Sequence, residues 1–108
     1  MPIPDLSNLQ FFILGHLLNG TRTGRDLRAA LAKEKHKKSR AAFYQMMSRM
    51  EENKLVNGWY EPKKIDGHIV QERHYEATGT GVTTWERTRD FLIEAALLGG
   101  RGMEGYAT

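Results

Sequence analysis

The side chains best able to do chemistry in this sequence are cations and amides gathered between positions 21 and 50. That stretch carries nine Lys and Arg against two Asp and Glu, a local charge of +7, whereas the remainder carries seven against eleven, a charge of −4. A cation excess confined to one segment is the footprint of a polyanion-binding surface such as one for nucleic acid; the bland reading is a solvated basic loop. Lys37, Lys38, Ser39 and Arg40 stand at the start of a periodic segment, where free amide donors and a nearby guanidinium suit a phosphate. Further along, Gln45 has the geometry to pair with adenine N6 and N7, and Arg49 to reach a guanine or a phosphate; both are also compatible with ordinary helix surface. Ser48 shares their outward side. Tyr44 either packs under a neighbouring element or sets its hydroxyl on a phosphate, and packing is the favoured reading. Lys63, Lys64 and His68 flank an Asp66-Gly67 turn, where they can track a nucleic-acid backbone or serve as a charged edge that discourages strand pairing.

Other chemistries find little support. His16, His36, His68 and His74 are scattered over different parts of the chain without a metal-ligand spacing. The absence of cysteine removes disulfides, thiolate zinc sites and a cysteine nucleophile. Thr78-Gly79-Thr80-Gly81 lacks the Gly-Lys-Ser/Thr ending of a phosphate loop and reads as a helix cap, and no nucleophile elbow is present. No catalysis, metal or cofactor is expected. The longest apolar stretch, residues 11–18, is interrupted by Gly15 and His16 and is too short to span a bilayer; with no secretory signal before it, no membrane association and a cytoplasmic location are expected.

The elements that would position these residues follow from periodicity. With 108 residues, 40% of them hydrophobic, the chain suits one compact domain. Met1-Pro2-Ile3-Pro4 reads as a short arm, because each proline disfavours helix in the residue before it. Asp5 and Ser7 offer caps for a helix to about residue 19, with Leu6, Leu9, Ile13 and Leu17 on one side and Phe11, Leu14 and Leu18 on the other. Thr23 caps a second helix, 24–33, with Leu27, Ala30 and Leu31 inward. Ser39 caps a third, 39–53, whose inward face is Phe43, Met46, Met47 and Met50; that spacing explains the methionines as core. Residues 56–63 and 69–77 form a β-hairpin around Asp-Gly, with Pro62 on an edge or near the tip and one of Trp59 and Tyr60 buried. Thr78 caps a last helix to about residue 98, and the glycine-rich residues 99–108 read as a flexible tail. The expected fold is mostly α with a β-hairpin (α+β): a winged helix-turn-helix over residues 5–78 and a C-terminal dimerisation helix over 79–98, with helix 39–53 in a DNA major groove and hairpin 56–77 as wing.

Three segments carry a family resemblance. Leu14-Gly15-His16-Leu17-Leu18-Asn19-Gly20-Thr21-Arg22-Thr23-Gly24 is similar to the first helix and following turn of PadR-like transcriptional regulators. Residues 43–56, FYQMMSRMEENKLV, resemble the family's Leu-Tyr-Pro-x-Leu-x-Arg-Leu-Glu-x-x-Gly-Leu-Val segment, and Arg73-His74-Tyr75-Glu76-Ala77-Thr78-Gly79-Thr80-Gly81 resembles its exit from the wing. The resemblance implies a dimeric DNA-binding repressor, with the wing and helix three on operator DNA and the last helix in dimerisation. It departs from the family pattern at Ala41-Ala42, where a Gly and a hydroxyl residue are usual, at Gln45 in place of Pro, and at Arg25 in place of an aromatic.

Assembly is expected from unclaimed apolar stripes. If the three-helix core covers only one side of helix one, then Phe11, Leu14 and Leu18 are left to meet Trp85, Leu92, Ala96 and Leu97 of the last helix about a two-fold axis, giving a homodimer. Trp85 serves core or interface packing, or else lines a cavity for a small planar effector, packing being the favoured reading. The reading of a different class is a winged-helix module that binds protein and has no specific operator.

Overall fold

The computed structural model describes residues 6–107, and the side chains of residues 6–99. The elements are α1 (Asn8–Leu17), β1 (Arg22–Thr23), α2 (Gly24–Lys33), α3 (Arg40–Glu52), β2 (Val56–Ile65), β3 (His68–Ala77) and α4 (Gly79–Ala107). The expected arm at residues 1–4 and the candidate cap Asp5 lie outside the described residues.

Each early helix begins where a short polar side chain meets orphan amides. Ser7 Oγ accepts from Gln10 N at 3.1 Å while Gln10 Oε1 accepts from Ser7 N at 3.0 Å, a reciprocal capping box. Thr23 and Asp26 form the same box on α2, and Ser39 Oγ accepts from Ala42 N at 3.1 Å on α3. The ends of α2 and α3 share one device. Lys35 and Lys54 take left-handed φ values of 62° and 60°. Beyond α2, Lys35 N and His36 N donate to Ala32 and Leu31 carbonyls; beyond α3, Lys54 N and Leu55 N donate to Glu51 and Met50. These are Schellman stops built on lysine where glycine is usual.

The core joins α1, α2, α3 and the base of the hairpin. Ile13, Leu14, Leu17, Leu27, Leu31, Phe43, Met46, Met47, Met50, Leu55, Val56 and Tyr75 are all buried. The four inward residues expected for α3 all lie in this cluster. The hairpin runs in register from Val56↔Ala77 to Ile65↔His68 and closes through Asp66 and Gly67, both at positive φ, the twist that suits a two-residue turn. Pro62 sits on β2, an edge strand, opposite Gln71. Trp59 is half-buried and Tyr60 exposed.

Four expectations are corrected. Arg22–Thr23 forms a short strand on β3, so the sheet order is β1-β3-β2; two residues are too few to show alternation in sequence. Helix one stops at Leu17. The last helix continues to Ala107, past the expected stop near residue 98. Each glycine costs a helix only about 1 kcal/mol, and an established helix gains a hydrogen bond with every added residue, so glycines alone do not end it. Leu14 is not available to a partner: it is fully buried beneath α4 of its own chain, which packs on α1 and covers the second apolar side. Phe11 is likewise engaged at home, stacked on Trp85 with ring centroids 5.2 Å apart.

The close approach of α4 depends on the smallness of Gly81 and the hydroxyl of Thr78. A Cβ on Gly81 would strike the Leu55 carbonyl and come within 3.3 Å of Leu14 Cδ2. Thr78 Oγ1 accepts from Gly81 N at 2.9 Å and donates to the Lys54 and Leu55 carbonyls. Thr78-Gly79-Thr80-Gly81 is thus a cap and a contact surface.

Candidate nucleic-acid interface

Burying Phe43, Met46, Met47 and Met50 turns the opposite side of α3 outward. Ala41, Gln45, Ser48 and Arg49 are exposed, as are Lys37, Ser39 and Arg40 at its start, while Lys38 is half-buried. The Ser39 oxygen is committed to its cap, leaving its O–H free to donate. This outward surface is polar, small and cationic, without a carboxylate before Glu51.

The two flanks of α3 face different neighbours. Lys38, Gln45 and Arg49 line a groove shared with the start of α1, including Ser7, Asn8 and Gln10. Arg40 and Tyr44 face a cleft walled by Arg25 and Arg28 of α2 and by Tyr60, Val70, Gln71, Glu72 and Arg73 of the wing. Tyr44 is half-buried and packs edge-on against Phe43 with centroids 5.0 Å apart. A Cβ on Gly24 would lie 2.6 Å from its hydroxyl oxygen, so the first residue of α2 has to be small.

The wing is braced from its base. Arg73 Nη2 donates to Glu51 Oε1 at 2.7 Å, tying β3 to the end of α3. Its guanidinium lies 4.6 Å from the Tyr60 ring centre and 5.6 Å from that of Tyr75. Burial works against the Arg73 charge, but the Glu51 carboxylate and the Tyr75 hydroxyl beside it outweigh that and hold its pKa above the ordinary value. A Cβ on Gly58 would collide with Glu51, Arg73 and Tyr75, so glycine makes room for the bridge. Further out, Trp59 stacks on His74 with centroids 6.0 Å apart and donates from Nε1 to Glu61 Oε1 at 2.8 Å. Of the residues expected on the wing, Lys63 pairs with Glu72 at 3.3 Å, while Lys64 and His68 are exposed beside the turn.

The structure therefore distributes the sequence candidates over two faces of α3 and the wing tip. It also brings in Arg25, Arg28, Tyr60 and Arg73, which sequence reasoning did not name as site residues. The spacing of Arg25 and Arg28, three apart on α2 with Leu27 and Leu31 inward, was the available signal.

On the interface expected for assembly, Leu92 and Leu97 are 41% and 52% exposed, and Phe91, Ile93 and Leu98 join them on α4. Ala96 is exposed and Leu18 half-buried. Beside Trp85 an open groove is lined by Asn8, Phe11, Phe12, Gly15 and His16. Arg89 lies 5.4 Å from the Trp85 ring. Among the described residues no group of three or more His, Asp or Glu could hold a metal, and no helix is long and apolar enough to cross a membrane.

No protein-family model matches the sequence, and no curated protein matches it. Solved structures do match in shape. A PadR-like transcriptional regulator from Bacillus cereus superposes with a TM-score of 0.70 at 20% identity, covering 88% of this chain and 90% of that one. A PadR family transcription regulator from Clostridium difficile gives 0.72 at 16% identity, covering 90% and 99%. Bacillus subtilis PadR, solved in complex with operator DNA, gives 0.60 at 20% identity, covering 81% of this chain and 48% of that one. The fold is the winged helix of PadR-like regulators.

Proposed function

We propose that this chain is a DNA-binding transcriptional regulator that places α3 in the major groove and the β2–β3 wing on the adjacent backbone. The carrying observation is the exposed, cationic side of α3: Arg40, Gln45, Ser48 and Arg49 stand clear of a core that takes Phe43, Met46, Met47 and Met50. A fold shared with a regulator solved on its operator supports the reading. In this assignment Lys37, Lys38, Ser39 and Arg40 hold phosphates, Gln45, Ser48 and Arg49 face base edges, and Lys64 and His68 follow the backbone from the wing, with Lys63 shared between Glu72 and DNA.

The regulator works as a homodimer and represses by occupying a pseudo-palindromic operator. Leu92, Ala96 and Leu97, with Ile93 and Leu98, form the α4 contact; Phe11, Leu18 and Trp85 border it, and Leu14 supports it from inside the core. Exposed apolar stripes of this kind mark association surfaces. The groove beside Trp85 is the place for a small planar effector.

Two variants test the α3 assignment. Arg40→Ala weakens binding to all duplexes alike and makes the salt dependence shallower by about one phosphate contact. Gln45→Ala spares non-specific binding and lowers discrimination at one base position by about 1–3 kcal/mol. Unchanged binding in both removes α3 from the interface.

A further inference from the structure

We infer that the cleft between α2, α3 and the wing is a built oxyanion site of the phosphate class, gripped by Arg25, Arg28 and Arg40. The cleft encloses about 200 Å³, room for a tetrahedral anion with water. Among the described residues none of these three guanidinium groups has a carboxylate within 4.0 Å or a side-chain hydrogen bond to another residue. Arg73 is paired with Glu51 at 2.7 Å, whereas Glu72, which also lines the cleft, lies 3.3 Å from Lys63 but its buried Oε2 accepts no hydrogen bond. With Lys63 and Glu51 counted, five cations stand against two carboxylates, a net charge of +3 at the site.

Arg28 points to a ligand most directly. Its Nε is buried and has no hydrogen-bond acceptor, a costly state for a charged donor unless something supplies one. Once the side chain turns Nε toward the cleft, Nε–H and a neighbouring Nη–H form a planar fork that matches two oxygens of one phosphate. Arg40 approaches from the other wall, 5.7 Å from the Tyr44 ring centre, which limits where its head can go. Convergence from two helices and a half-enclosed floor favours a tetrahedral oxyanion over a planar carboxylate, which one guanidinium alone would satisfy.

Two sources share this chemistry: a phosphate of duplex DNA and free phosphate. The first source rests on the DNA-binding reading above; the second does not. The test uses the full ¹⁵N-labelled chain and follows the arginine Nε–Hε signals. Inorganic phosphate is titrated against chloride at equal ionic strength, and then a duplex of random sequence is added. The expected result is a saturable shift of the Arg28 signal with phosphate and none with chloride, and a dissociation constant for phosphate raised about tenfold or more in Arg28→Gln. If the duplex displaces phosphate, the backbone is the ligand; if phosphate binds and the duplex leaves the signal alone, the site takes a free anion. An Arg28 signal unmoved by phosphate and by a duplex that does bind the protein overturns the inference while leaving the DNA-binding reading intact.

Discussion

Tyr75 shows how a single side chain links core, wing and helix. It is buried at 2% exposure, and burial pushes its phenol up from an ordinary value near 10 to about 12, against the pull of the Arg73 guanidinium. The folded chain therefore holds this proton more tightly than the unfolded one. Its contribution to stability is constant below pH 10 and is lost as pH rises from about 10 to about 12, amounting to roughly 2–3 kcal/mol. Urea unfolding at pH 9 and pH 11.5 is expected to show a smaller alkaline loss in Tyr75→Phe than in the parent. Equal losses would place the alkaline sensitivity elsewhere. The neighbouring Gly58 could not have been understood from sequence, because its smallness answers to Glu51 and Arg73, which lie seven and fifteen positions away along the chain. Gly24 is similar: it reads as part of a turn, yet what demands it is the Tyr44 hydroxyl.

At the scale of elements, the features readable in advance were those with local causes. Ser7, Thr23 and Ser39 announce helix starts by side-chain chemistry; Phe43, Met46, Met47 and Met50 declare a face by spacing; Asp66-Gly67 fixes the hairpin register. The covering of Leu14, by contrast, is a tertiary choice. Whether α4 or a second copy covers Leu14 depends on how closely two helices approach, and that is decided by Gly81 against the Leu55 carbonyl. With α1 so covered, the surface left for a partner shifts outward along α4, which is 29 residues long, about 44 Å at about 1.5 Å per residue. Leu92→Glu places a charge on that exposed stripe without entering the core. It is expected to yield a folded monomer by sedimentation at micromolar concentration, with unchanged helical content and much weaker operator binding. A dimer that persists in Leu92→Glu would move the association surface off this part of α4. Leu14→Glu, by contrast, would bury an unpaired carboxylate and unfold the domain.

For the whole molecule, the division of charge matters more than its net value of +3. The positive segment supplies α2, α3 and their connection, which together form the outward side of α3 and the arginine cleft beside the wing. The negative remainder includes α4 with its exposed apolar stripe. A two-fold pairing through that helix would present two copies of α3 to successive major grooves, roughly 34 Å apart. Affinity for a duplex should then be dominated by cations released from phosphates. The most direct test is the duplex association constant measured from 50 to 200 mM salt, on random and genomic DNA. With Lys37, Lys38, Arg40 and Lys64 each on a phosphate at about −0.9 apiece, log K is expected to fall with log salt with a slope of about −3.6 per protomer. A slope near zero, or no duplex binding at 50 mM salt, would contradict the account and favour a winged-helix module that binds protein.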